Sequence, residues 1–159
     1  MQKLNGREIY VLVILFLATT ILGFLMLKDI FSDISSVSSA QGVVSINQMD
    51  LRSHIKSLLQ IILNISAIIL FWRKKRMGWI LAFPILLFYC FIISYVMIGF
   101  GYVDPVSTAV GFGGVLIFFL GLIFLLIPST LRKYQVKKLT LIPMVVVTGL
   151  LVFLYFGII

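Results

Sequence analysis

The residues of this chain that could do chemistry are few, and they cluster between 50 and 64: Asp50, Ser53, His54, Ser57, Gln60 and Asn64. Asp50 precedes the lone histidine, His54, by one helical turn. At that spacing a carboxylate favours the imidazolium, so the pair could sense pH, although a solvated surface histidine is the plainer reading. One histidine and one cysteine cannot assemble a multi-histidine metal site or a bis-histidine haem within one chain. Cys90 reads as a small apolar packing residue. Glu8, Asp29, Asp33, Asp50 and Asp104 all lie at or beyond the ends of the apolar runs, which leaves no buried carboxylate for proton-coupled transport. Paired carboxylates and a Ser–His–Asp set are also missing, and "GFGG" at 111–114 lacks the spacing and lysine of a phosphate loop. The reading is therefore non-enzymatic, with no cofactor.

What positions these residues is a membrane. Only 11% of the 159 residues are charged, 62% are hydrophobic, and mean hydropathy is +1.20, outside the range of water-soluble domains. Apolar runs of about twenty residues match a hydrocarbon core of about 30 Å. Five such runs fall near 9–27, 51–72, 79–100, 105–128 and 139–159. They must be helices, because lipid offers backbone groups no hydrogen bonds and the alternation of a barrel strand is absent. The sequence thus predicts an all-α, polytopic membrane protein with five transmembrane helices and no soluble domain. Its first run is too long for a signal-peptide core and reads as a retained anchor.

Charge predicts the orientation. Lys3 and Arg7, then Arg73, Lys74, Lys75 and Arg76, then Arg132, Lys133, Lys137 and Lys138 fall on one side of five spans, in the N-terminus and in the inner loops 73–78 and 129–138. The other side keeps Lys28, Arg52 and Lys56 among four aspartates. The positive-inside rule then places the N-terminus in the cytosol and the C-terminus outside, in a cell inner membrane of bacterial type. Tyr10, Trp72, Trp79 and Tyr134 are expected at the inner interface, with Tyr102 and Tyr155 at the outer.

The sizeable loop, 28–50, is expected outside, with Ile30, Ile34 and Val37 laid on the headgroups and "SSVSSAQG" as a flexible turn. Ser45 and Gln48 form a capping box for the second helix, and Asp104–Pro105 start the fourth. Shifting the chain by 59 residues lays Arg73, Lys74 and Pro84 on Arg132, Lys133 and Pro143, a weak sign of tandem hairpins.

On the second helix Asp50, Ser53, Ser57, Gln60 and Asn64 share one arc, descending from the outer surface to mid-membrane. An amide facing lipid would cost several kcal/mol, so this face must meet another helix or water. The plainer reading is interhelical bonding, roughly 0.6 to 2 kcal/mol per contact, with Thr19, Thr20, Tyr89 or Ser94 as partners. The alternative is the wet lining of a homo-oligomeric pore. On the fourth helix Ser107, Gly111, Gly114 and Gly121 form a small-residue face, for internal packing or self-association.

The expected function is a small non-enzymatic subunit of a larger or homo-oligomeric membrane assembly, with an outer sensing or contact loop, of a kind that suits envelope-stress or phage-defence sensing. Its basic face would bind anionic lipid of the inner leaflet or dock an acidic cytosolic protein. No stacking pattern supports nucleic acid. An ion-conducting pore and a small-solute or lipid carrier subunit are the competing classes.

Overall fold

The structure, a computed structural model, describes residues 4–39, 48–100, 105–137 and 140–156. Those residues are all-helical: α1 (Gly6–Ser39), α2 (Gln48–Trp72), α3 (Arg76–Phe100), α4 (Pro105–Leu126), the short α5 (Pro128–Lys133) and α6 (Leu141–Phe156). Within the first four, Gly6–Ser32, Ser53–Trp72, Arg76–Gly99 and Ser107–Leu126 are long and apolar enough to cross a bilayer. The fifth expected span is a helix too, but its 16 residues reach only about 24 Å.

Helix α1 packs on α2 and α4, and α3 packs on α2, α4 and α6. The first four helices therefore close into a bundle, with α6 laid outside α3. Val11, Ile14, Leu15, Ala67, Phe71, Ile80, Ile85, Leu86, Leu122 and Leu125 fill the interior. Around it, large apolar side chains such as Phe16, Phe24, Ile98 and Val110 are exposed at 62%, 70%, 83% and 70%. Such a surface is stable against acyl chains and not against water. The chain is a multi-pass integral membrane protein.

Two tight turns shape the basic end. After α2, the Lys74 and Lys75 amides donate to the Phe71 and Leu70 carbonyls, both 2.9 Å. After α5, Gln135 and Val136 donate to Arg132 and Leu131 at 3.1 and 2.9 Å. Both are Schellman caps, and each puts a non-glycine residue in the left-handed region: Lys74 at φ 52 and Gln135 at φ 51. Gly78 then lets α3 start against α2, because a Cβ there would lie 2.2 Å from the Phe71 nitrogen. Between α4 and α5, Pro128 forces extended backbone on Ile127 (ψ 134), and the chain turns back over the bundle end.

Several expectations need correction. The segment from Lys28 does not lie flat: α1 runs unbroken for 34 residues to Ser39, about 51 Å, so Ser35–Ser39 are helix and not turn. The loop expected over 28–50 thereby shrinks, and Ser45 lies outside the described residues. Trp79 and Tyr134 lie at the basic end but face the interior of the bundle, 2% and 1% exposed, rather than the headgroups. The tandem-hairpin reading also fails, since α6 packs chiefly on α3 instead of pairing with α4 as α2 pairs with α3. Inner loop 129–138 is not a loop throughout, because α5 occupies its first half.

Candidate functional site

Two polar clusters stand out, one at mid-bundle and one at the basic end. The first is the stripe of α2. Asn64 is fully buried, and its Nδ2 donates to the Tyr89 hydroxyl of α3 at 2.7 Å. Gln60, half-buried, bonds the same hydroxyl. Tyr89 is in turn stacked on Phe118 of α4, ring centroids 5.1 Å apart. The other expected partners bond their own helices: Thr19 to the Leu15 carbonyl, Thr20 to Phe16 and Ser94 to Cys90. Asn64 Oδ1 has no donor. Toward the outer end Ser57 is half-buried and Ser53 exposed, while Ile55, Leu58, Ile62, Ile65 and Ile69 of α2 are exposed apolar residues. The stripe thus turns inward as it descends, and α2 offers the outside an apolar face. His54 is half-buried. The Asp50 side chain lies outside the described residues, so the Asp50–His54 pair does too.

The small residues of α4 are used inside the bundle. A Cβ on Gly111 would meet Met97, on Gly114 Ile93 and on Gly121 Leu86 and Ile14, with Ser107 exposed at the far end. Of the two readings this face allowed, the structure uses it for packing on α3 and α1.

At the basic end α5 and its flanks form a strap with a tie to three of the four bundle helices. Lys133 Nζ donates to Glu8 Oε2 of α1 at 2.7 Å. Tyr134 stacks on Phe71 of α2 (centroids 4.7 Å) and donates its hydroxyl to the Phe71 carbonyl at 3.2 Å. Arg76 of α3 donates through Nε and Nη2 to Thr140 Oγ1 at the start of α6, which also accepts the Lys137 amide at 3.0 Å. Close by, Trp79 Nε1 donates to the Leu125 carbonyl at 3.1 Å, using one of the acceptors orphaned by the end of α4. Burial first, then the Glu8 carboxylate, pushes the Tyr134 phenol far above its ordinary range, so it stays a neutral donor. Partial loss of water and the adjacent Lys133 ammonium hold Lys74 below the usual lysine range.

The basic residues therefore divide. Lys133 and Arg76 are engaged in the fold, and Lys74 crowds against Lys133. Arg7, Arg73, Lys75, Arg132 and Lys137 are exposed, and Lys138 lies outside the described residues. Sequence reasoning counted Glu8 only as a charge and missed its role. The signal was there, since Asn5 stands three residues before it: Glu8 Oε2 accepts the Asn5 amide at 2.7 Å, the return bond of a capping box. Between α3 and α6 runs an open groove of about 380 Å³, lined by Leu87, Phe88, Phe91, Thr148 and Val152. Its hydroxyl is spent on the Met144 carbonyl, so the groove offers only apolar contact.

Fold and clusters together define a multi-pass helical membrane protein with a tied basic end. No protein-family model, curated protein or solved structure matches the chain.

Proposed function

We propose that the protein is a non-enzymatic subunit of an assembly in a bacterial inner membrane, and that its basic end faces the cytosol and docks an acidic partner protein. One observation carries this reading. Arg7, Arg73, Lys75, Arg132 and Lys137 are exposed at one end, while Glu8, the only acid in those stretches, is 3% exposed and held by Lys133. That surface is a concentrated positive field at a membrane boundary, where low-dielectric neighbours screen it little. The N-terminus is then cytosolic and α6 is the fifth crossing. The opposite end, with the extensions of α1 and α2, is the outer contact surface. The burial of Asn64 and the apolar exposed face of α2 weigh against the pore.

The test is mass spectrometry of the intact particle, purified gently from its native host through an N-terminal tag. A stoichiometric acidic protein should co-purify, dissociate with salt, and be lost when Arg73, Lys75, Arg132 and Lys137 are changed together to Gln. A closed homo-oligomer with nothing attached overturns the reading. Ion flux through liposomes, with and without Asn64→Leu, would then be the next measurement.

A further inference from the structure

Glu8 uses only one of its carboxylate oxygens. The Asn5 amide and the Lys133 ammonium both donate to Oε2, while Oε1 is buried without a donor. The neighbouring Tyr134 hydroxyl has one proton, which it directs to the Phe71 carbonyl at 3.2 Å while lying close to the Glu8 carboxylate. A charged acceptor left unsatisfied is costly, more so than a neutral one. Glu8 also lines a cleft of about 50 Å³ with Asn5, Arg7, Ser129, Thr130 and Lys133. That is room for one or two water-sized groups, enough for an ammonium, and a phosphate joined to it would sit at the exposed rim beside Arg7 and Ser129. The cleft lies where two spans end, α1 at Gly6 and α4 at Leu126, which is headgroup depth. From that level into the membrane both helices carry exposed apolar residues, Ile9 and Val13 on α1, Ile123 and Leu126 on α4.

We propose that this cleft binds the phosphoethanolamine headgroup of a phosphatidylethanolamine molecule from the adjoining leaflet. Its ammonium donates to Glu8 Oε1, and its phosphate accepts from Arg7, Lys133 and the Ser129 hydroxyl. The charge pattern selects this chemistry. A purely anionic headgroup would meet the Glu8 carboxylate, and a bare cation would meet Arg7 and Lys133. A headgroup bearing both charges matches both walls. Quaternary choline carries no N–H and cannot serve Oε1, while glycerol carries no cation.

The experiment is retention of lipid by the full chain in native mass spectrometry. The detergent-purified protein is equilibrated with equal amounts of phosphatidylethanolamine, its mono- and dimethyl derivatives, phosphatidylcholine and phosphatidylglycerol, all with the same acyl chains. Retention should fall with methylation and be lowest at the quaternary amine. Phosphatidylethanolamine should exceed phosphatidylcholine by about tenfold, the worth of one charge-assisted hydrogen bond. Glu8→Gln should reduce that preference, whereas Arg7→Gln, which acts on the phosphate both lipids share, should lower the retention of both. Equal retention of ethanolamine and choline lipids overturns the proposal, as does preferential retention of phosphatidylglycerol, which would mark a general anion surface. Because Glu8→Gln also loosens the strap, the methylation series on the unaltered chain decides the matter by itself.

Discussion

At the basic end of the bundle, side chains of one element bond the backbone or side chains of another: Lys133 to Glu8, Tyr134 to Phe71, Arg76 to Thr140, Trp79 to Leu125. Farther into the membrane the pattern changes. Thr19, Thr20, Ser94 and Thr148 all return their hydroxyls to their own helices, and small residues on α4 set the spacing. The cross-ties described there include Tyr10 to the Ile117 carbonyl, Asn64 and Gln60 to Tyr89, and the Cys90 thiol to the Val115 carbonyl. The difference follows from what each depth offers. Helix ends leave orphan carbonyls and amides that need partners, and those partners can come from a neighbour. Helix interiors have satisfied backbones, so helices there gain mainly by close packing.

The largest expected effect tests the tied end. Tyr134→Ala removes a buried ring stacked on Phe71 and should cost about 4 kcal/mol, seen as a fall in the unfolding midpoint in detergent. Tyr134→Phe, which loses only the bond to the Phe71 carbonyl, should cost about 1 kcal/mol. If the two variants melt alike, packing of the strap is not what holds this end.

A pair of glycines sharpens the comparison. Gly78→Ala drives a Cβ into the backbone of Phe71 and should destabilise by about 3 kcal/mol. Gly111→Ala meets the flexible Met97 side chain, which can swing away, and should cost less than about 1 kcal/mol. Equal losses in the same melts would show that α3–α4 packing is as rigid as the α2–α3 corner.

A further comparison concerns mid-bundle polarity, and a double-mutant cycle reads it. Tyr89→Phe strands the Asn64 amide and should cost about 1 to 3 kcal/mol. Asn64→Leu removes both the donor and the unpartnered Oδ1 and should be nearly neutral. Combining the two should recover most of the loss from Tyr89→Phe, giving a clear coupling energy. Additive losses would mean that the 2.7 Å bond contributes nothing beyond the two side chains separately.

Hydropathy alone determined that this chain is helical and membrane-embedded, because lipid leaves the backbone no other way to satisfy itself. Helix starts at Pro105 and near Gln48 were also legible, as was the partnership of Asn64 with another helix, since an amide cannot face hydrocarbon. The reach of α1 to Ser39 was not legible, because serines that signal a turn cost a continuing helix only about half a kcal/mol each. Nor were the uses of individual charges. In sequence Lys133 and Arg132 are equivalent, yet one is bound to Glu8 and the other is exposed, because only the turn at Ile127–Pro128 decides which side chain faces α1. The same holds for the small face of α4, which fits a neighbour inside or a second copy outside equally well as a pattern. Spacing sets which residues share a face, but the contact made by that face depends on crossings between distant segments, which tertiary packing alone decides.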